Sequence, residues 1–169
     1  MERKGNPKWS EKVGLTYEEH IREKYSPSVT LARELEKTLG REKAHKIIKE
    51  AYEREATQWA AEAGKRVGIK NFQDFLAYIK KIYGSPYWSH VLTYTLKEAP
   101  SEYRFTCTEC LNAKVLRDMG AEDLGYIMLC NTDFASTTAF HPKLRLERTK
   151  TLMQGDDCCN FHCMWKKDE

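Results

Sequence analysis

The period of the apolar pattern changes at Gly84-Ser85-Pro86, and that change limits what this chain can fold into. Before it, apolar residues recur every three to four positions, as on one face of a helix. After it, from Tyr87 to Lys97, His90, Leu92, Tyr94 and Leu96 alternate with Val91, Thr93 and Thr95, as along a strand. A stripe of helical period cannot be buried by a strand, so a block of helices must precede a block with strands.

The first block divides at its glycines. Thr16 and Glu19 form a capping-box pair and open a short helix to about Tyr25. Ser28 or Thr30 starts another, with Leu31, Leu35 and Leu39 on one face, and Gly40 ends it. Residues 41–63 give the clearest helix, striped by Ala44, Ile47, Ile48, Ala51, Glu55 and Trp59. Gly64 and Gly68 break the chain, and Phe72, Phe75, Leu76, Ile79 and Ile82 describe a third amphipathic helix. Trp59 and the phenylalanines read as core anchors.

In the second block, Ala99-Pro100-Ser101 makes a turn into a strand over 102–107, with Tyr103, Phe105 and Cys107 on one face. Helical spacing returns around Cys110, Ala113, Leu116 and Arg117, and again over 122–139. Residues 144–152 and 158–165 read as two further strands joined by the turn Gln154-Gly155-Asp156-Asp157. The expected fold class is α+β: N-terminal helices packed with a C-terminal antiparallel sheet that a helical crossover interrupts. Residues 1–169 read as a single domain, with 1–14 a flexible lead-in.

With 41% apolar and 31% charged residues, the chain has the balance of a soluble globular protein, and its apolar runs are too short to span a membrane. Its start shows no apolar stretch after the basic residues, so a cytoplasmic protein with reduced thiols is expected. The net charge of +3 is spread among acids, which argues against nucleic-acid binding.

Cysteine is absent from residues 1–106, and all six follow. Cys107-Thr-Glu-Cys110 has the two-residue spacing of zinc and redox sites, and Cys110 falls where a strand gives way to a helix. Amides and dipole at a helix start favour a thiolate there. Cys130-Asn-Thr-Asp133 puts a thiol and a carboxylate on one helical face. Cys159, Phe161, Cys163 and Trp165 share one face of the last strand, so Cys158 and Cys159 point apart. Packed thiols, His162 at a surface and His141 in a loop are the plainer readings of the remaining candidates.

Cys110-Leu-Asn-Ala113, Gly120-Ala-Glu-Asp-Leu-Gly125, Cys130-x-x-Asp133, Phe140-x-Pro142, Leu146-x-Arg148-Thr-Lys-Thr-Leu-Met-x-Gly155-Asp156 and Cys159-x-Phe161 occur in that order. This ordered set resembles the L-2-amino-thiazoline-4-carboxylic acid hydrolase family. The C-terminal half is also similar to the vinyl-reductase/TRAPP-like ligand-binding fold. The resemblance implies hydrolytic opening of a C–N or amidine-like bond in a small heterocycle, such as 2-amino-thiazoline-4-carboxylic acid. The alternative is a small-molecule or metal-binding sensor module without turnover.

On this reading Cys110 is the leading nucleophile, Cys159 the runner-up, and Asp133 activates water or receives a proton. Arg148 holds a substrate carboxylate or else makes a structural ion pair. Asp156 either stabilises its turn or hydrogen-bonds substrate. Cys110, Cys130 and Cys159, completed by Asp133 or water, could instead hold zinc, and the cofactor stays open between none, zinc and iron. The expected partner is a small-molecule substrate, with no membrane and no nucleic acid. Large apolar positions in excess on the N-terminal helices suggest a homodimer.

Overall fold

The computed structural model describes residues 14–166. The lead-in expected over 1–14 lies, apart from Gly14, outside the described residues. Helix α1 (Tyr17–Leu39) starts at the Thr16/Glu19 capping box, where Thr16 Oγ1 accepts from Glu19 N–H at 3.2 Å and the Glu19 carboxylate accepts from Thr16 N–H at 2.8 Å. The two short helices expected here are one continuous helix that carries Pro27 in its interior. A proline removes one ladder bond and crowds the preceding turn. The helix nevertheless continues, because Ile21, Tyr25, Val29 and Ala32 bury a common face across it. That face is not the leucine row: Leu31 is 62% exposed.

Gly40, at φ 80°, turns the chain into α2 (Arg41–Val67), which packs back along α1. The buried face of α2 runs through Ala44, Ile48, Ala60, Ala63 and Gly64. Trp59, expected as a core anchor, is 49% exposed and meets the core only through an edge contact with Phe140, 5.5 Å between centroids. Helix α3 (Phe72–Tyr83) is capped by a reciprocal Asn71/Asp74 pair and buries Phe72, Phe75, Leu76 and Ile79, as its spacing indicates.

The strand expected from Tyr87 begins later. Pro86 sits at the first turn of a short helix, α4 (Pro86–Val91), where a missing N–H costs nothing. Strand β1 (Leu92–Glu98) follows and pairs with β2 (Glu102–Cys110). The crossover comprises α5 (Leu111–Asp118), α6 (Glu122–Gly125), a π-helical turn at Tyr126–Cys130, and α7 (Thr132–Phe140). The single helix expected over 122–139 is thus broken at Cys130.

Strand β3 (Leu144–Glu147) is shorter than expected. From Thr149 the chain leaves the sheet, and the N–H groups of Thr149 and Lys150 both donate to Asn160 Oδ1, at 3.0 and 2.7 Å. A 3-10 turn at Leu152–Gln154 closes on Gly155, at φ 96°, in place of the expected hairpin turn, and β4 (Cys159–Trp165) completes the sheet. The four strands are antiparallel in the order β1-β2-β4-β3. The architecture is therefore α+β, with helices first and a crossover between β2 and β3.

Two apolar clusters hold these elements. One lies between α2, α3, α7 and the inner sheet face, around Phe75, Phe105, Phe140 and Cys163. The other joins α1 to the crossover through Ile21, Tyr25, Leu116, Leu124 and Met128. Leu92, Cys110 and Leu152 pack against both. At Gly64 an added Cβ would collide with the Phe140 carbonyl, so glycine lets α2 and α7 meet backbone to backbone. Among the described residues no helix is long and apolar enough to cross a membrane.

Candidate active site

Asp133 lies in the first turn of α7, directly after the π-helical turn that ends at Cys130. Arg148, just beyond β3, reaches both: Nη1 donates to Asp133 Oδ2 at 2.6 Å and Nη2 donates to the Cys130 carbonyl at 2.9 Å. Its guanidinium lies over the rings of Phe134 and Phe161, with each ring centroid 5.0 Å from Cζ. Only 2% of the Arg148 side chain is exposed, against 39% for Asp133.

Desolvation pushes the Asp133 carboxyl up to about 6, although Arg148 pulls the other way by charge and hydrogen bond. The carboxyl keeps 39% of its side-chain surface exposed, while the protein packed around the rest removes much of its hydration. Its surroundings fit: burial raises the Tyr83 and Tyr103 hydroxyls, and the nearby Asp133 charge raises both further. Tyr83 belongs to an aromatic core cluster, stacking on Phe105 at 4.7 Å, and Phe105 meets Phe161 edge-on at 5.5 Å.

Three of the candidate cysteines gather around Thr151 and Leu152. Thr151 Oγ1 lies 3.8 Å from Cys130 Sγ, and Leu152 N–H donates to Cys159 Sγ at 3.3 Å. Leu152 and Cys110 line the same groove of about 670 Å³, whose rim carries Lys114 and Arg117. The helix-start amides expected at Cys110 are present, from Ala113 and Asn112, but desolvation outweighs them and the thiol is raised rather than lowered. Burial, reinforced by Asp133, pushes Cys130 up to about 12, and burial likewise raises Cys107 to about 12. At neutral pH these three sulfurs are thiols. Of the candidates, Asp133 is the group poised to exchange a proton near neutrality.

A tetrahedral zinc site needs its donor atoms within a few ångströms of one another. Among the described residues, the one trio of His, Cys, Asp or Glu donors within 4.8 Å is Glu36, His45 and Asp123. Cys110, Cys130, Cys159 and Asp133 are neighbours without forming such a cage. The trio is already occupied by cations: Arg33 binds Glu36 and Asp123, and Arg41 binds Asp123, each at 2.8 Å.

Asp156 accepts from Thr151 N–H at 2.7 Å and so braces the turn beside Cys130. His162 lies between Glu102, at 3.0 Å, and Glu147, at 3.5 Å, and His141 stacks on Trp165 at 4.4 Å. Sequence reasoning missed Phe134, which packs on Arg148, and Tyr83, whose hydroxyl feels the Asp133 charge. Phe134 could have been found from its place beside Asp133. Tyr83 carried no signal, because α3 reaches the site only through tertiary packing.

A search of solved structures finds the phenol-responsive sensory domain of the transcription activator PoxR with phenol. It is 17% identical, over 91% of this chain and 76% of that one, with a TM-score of 0.49. Also similar is a trafficking protein particle complex subunit 3 from Naegleria fowleri covalently bound to palmitic acid. That chain is 12% identical, over 89% and 95% of the two chains, with a TM-score of 0.49. No curated protein matches. Residues 18–163 match a family model, which includes every candidate residue above. The chain therefore belongs to the L-2-amino-thiazoline-4-carboxylic acid hydrolase family.

Proposed function

We propose that the protein hydrolyses a small heterocycle at an amidine-like carbon, with 2-amino-thiazoline-4-carboxylate as the first substrate to test, and that Asp133 is the general base. The observation that carries this reading is the Asp133 carboxyl, raised to about 6, still 39% exposed and paired with a buried arginine. Asp133 takes a proton from water as the water oxygen bonds to the amidine-like carbon and the C=N π pair moves onto nitrogen. That nitrogen later takes the added hydroxyl's proton as the carbonyl forms. A ring bond from that carbon to its heteroatom then breaks, and the Asp133 carboxylic acid returns the proton to the departing atom. Arg148, held by Asp133 and the Cys130 carbonyl, is the positioning residue for this acid. Cys110 and Cys130 would have to ionise against their burial before attacking carbon, which favours water as the nucleophile.

Purified protein should consume the aminothiazoline acid at a rate proportional to enzyme, with a ring-opened product seen by mass spectrometry. Absence of turnover across cyclic amidines and amides, for folded protein with and without zinc or iron, would sink the enzymatic reading. The groove of about 670 Å³ lined by Cys110 and Leu152 favours a second reading, a sensor that holds a small ligand unchanged. Saturable binding by calorimetry with full recovery of the compound would select it.

A further inference from the structure

Cys107 and Cys159 stand directly opposite one another where β2 pairs with β4. Side chains so opposed lie on one face of a sheet. Two rungs away Phe105 and Phe161, also opposite, meet edge-on at 5.5 Å on that face. Both cysteines are buried, at 2% and 7% exposed, in the cluster under the inner sheet face. Opposed residues of an antiparallel ladder have Cα atoms about 4.5–5.5 Å apart. A disulfide spans about 4.4–6.8 Å, so the backbone need not move to accept one. Neither sulfur is held by a strong partner: the Cys107 S–H donates to the Glu109 carbonyl at 3.1 Å, and Cys159 Sγ accepts from Leu152 N–H at 3.3 Å. Among the described residues no other two cysteines face each other across a ladder.

The place of the pair in the chain gives it a consequence. A bond between the two sulfurs closes a loop over residues 107–159, which contains the crossover, Asp133, Arg148 and the Thr151 turn. It also draws the Cys159 sulfur away from the N–H of Leu152, which lines the groove. The rung is the last that β2 and β4 share, and ladder ends open locally before the whole fold does. A small oxidant can reach the pair there without unfolding the sheet. We propose that Cys107 and Cys159 form a redox site, which a peroxide closes into a cross-strand disulfide that ties together the two ends of the segment carrying Asp133 and Arg148. One thiolate attacks a peroxide oxygen, the O–O bond breaks, and hydroxide leaves a sulfenic acid behind. The second thiolate attacks that sulfur and displaces hydroxide as the S–S bond forms. The two thiol protons join the two hydroxides, so two thiols are oxidised while one peroxide is reduced to two waters. The proposal does not rest on hydrolysis at Asp133, and its test reads thiol chemistry rather than turnover.

The test uses the full chain carrying Cys158→Ser, which removes the neighbouring thiol that competes for Cys159. Folded protein is treated with hydrogen peroxide, quenched with acid, and its remaining thiols are blocked with N-ethylmaleimide. Trypsin with a glutamyl protease, which cuts between Cys107 and Cys110 at Glu109, then lets mass spectrometry read each pairing. The expected product is a peptide pair joined through Cys107 and Cys159, two hydrogens lighter than its parts and separated again by reductant. Oxidation confined to other cysteines, or ending as sulfinic acid at Cys107 or Cys159, overturns the proposal. Recovery of both thiols intact overturns it too. A second measurement asks whether the bond suits the folded ladder. The oxidised protein should unfold at a urea midpoint higher by roughly 1 M, because the unfolded chain then carries a long closed loop, and reductant should abolish the gain. An unchanged or lower midpoint means that the folded strands do not accept the bond, and overturns the proposal as well.

Discussion

Asp123 and Asp133 are both aspartates in the first turn of a helix, and both are paired with arginine, yet their acidities move in opposite directions. At Asp123 burial works to raise the carboxyl, but Arg33, the Leu124 N–H and Arg41 together hold it down at about 2. Asp133 has Arg148 alone among its lowering influences, so desolvation prevails and the carboxyl stands at about 6. Helix position cannot explain the difference, because both have it. What separates them is the number of donors supplied for a given loss of water. The first arrangement ties α1, α2 and α6 together and leaves the carboxylate no proton to trade. The second leaves an acid–base group half satisfied, which is costly as structure and useful as chemistry.

The largest effect expected from this contrast is on turnover. Asp133→Asn should act chiefly on turnover, lowering kcat by roughly 10²–10⁴-fold, as loss of a general base does. Asp123→Asn should do the reverse. From its depressed carboxyl, it should cost on the order of 2 kcal/mol of stability at pH 7 and leave kcat within about twofold. Urea denaturation and initial rates on both variants would check this. Equal losses of activity in the two would break the contrast.

Much of the fold was legible in the sequence, because Gly40, Gly68 and Gly84 punctuate stretches whose apolar period is unambiguous. The failures have physical causes. A break was expected between Tyr25 and Ser28, whereas residues buried on both sides of Pro27 carry one helix through it. The row Leu31, Leu35, Leu39 has helical spacing, but the buried face is defined by smaller residues such as Val29 and Ala32. At the site, Cys130 and Asp133 were legible as a pair, since three-residue spacing puts them on one side of any helix. The choice of Arg148 as an ion-pair partner was open, and the geometry supplies that ion pair. Whether Cys110 would be acidic could not be read, because helix-start amides and burial oppose one another and only the packing decides which prevails.

The two aspartates should also give stability opposite slopes with pH. Asp133 has a raised carboxyl in the folded chain, so its contribution favours folding most below about pH 4 and is lost as pH rises through about 6. Asp123 has a depressed carboxyl, so its contribution is present above about pH 4 and is lost as pH falls towards about 2. Melting temperatures of the parent and the two asparagine variants, taken from pH 2.5 to 7.5, separate these windows. The Asp133→Asn difference should change between pH 4 and 6, and the Asp123→Asn difference below pH 4. The rate of the parent should in turn rise with pH through about 6, as the base ionises. A rate profile flat from pH 5 to 7 would remove Asp133 from the chemistry while leaving its structural pairing intact.

The smallest effect belongs to Arg41, and it asks how many cations the first aspartate needs. Arg41 Nη2 lies 2.8 Å from Asp123 Oδ2, as close as Arg33 Nη2 lies to Oδ1. The two differ in surroundings: the Arg41 side chain is 69% exposed, while Arg33 also reaches Glu36 and the Gly120 carbonyl. An exposed ion pair is screened by water and salt and pays to immobilise a long side chain. Arg41→Ala should therefore cost about 0.5 kcal/mol or less, fading further in 1 M salt. A loss as large as that of Asp123→Asn would mean that Arg41 carries the pairing. A single well-placed arginine would then no longer be enough to make an aspartate a strut, and the contrast with Asp133 would rest on the second cation.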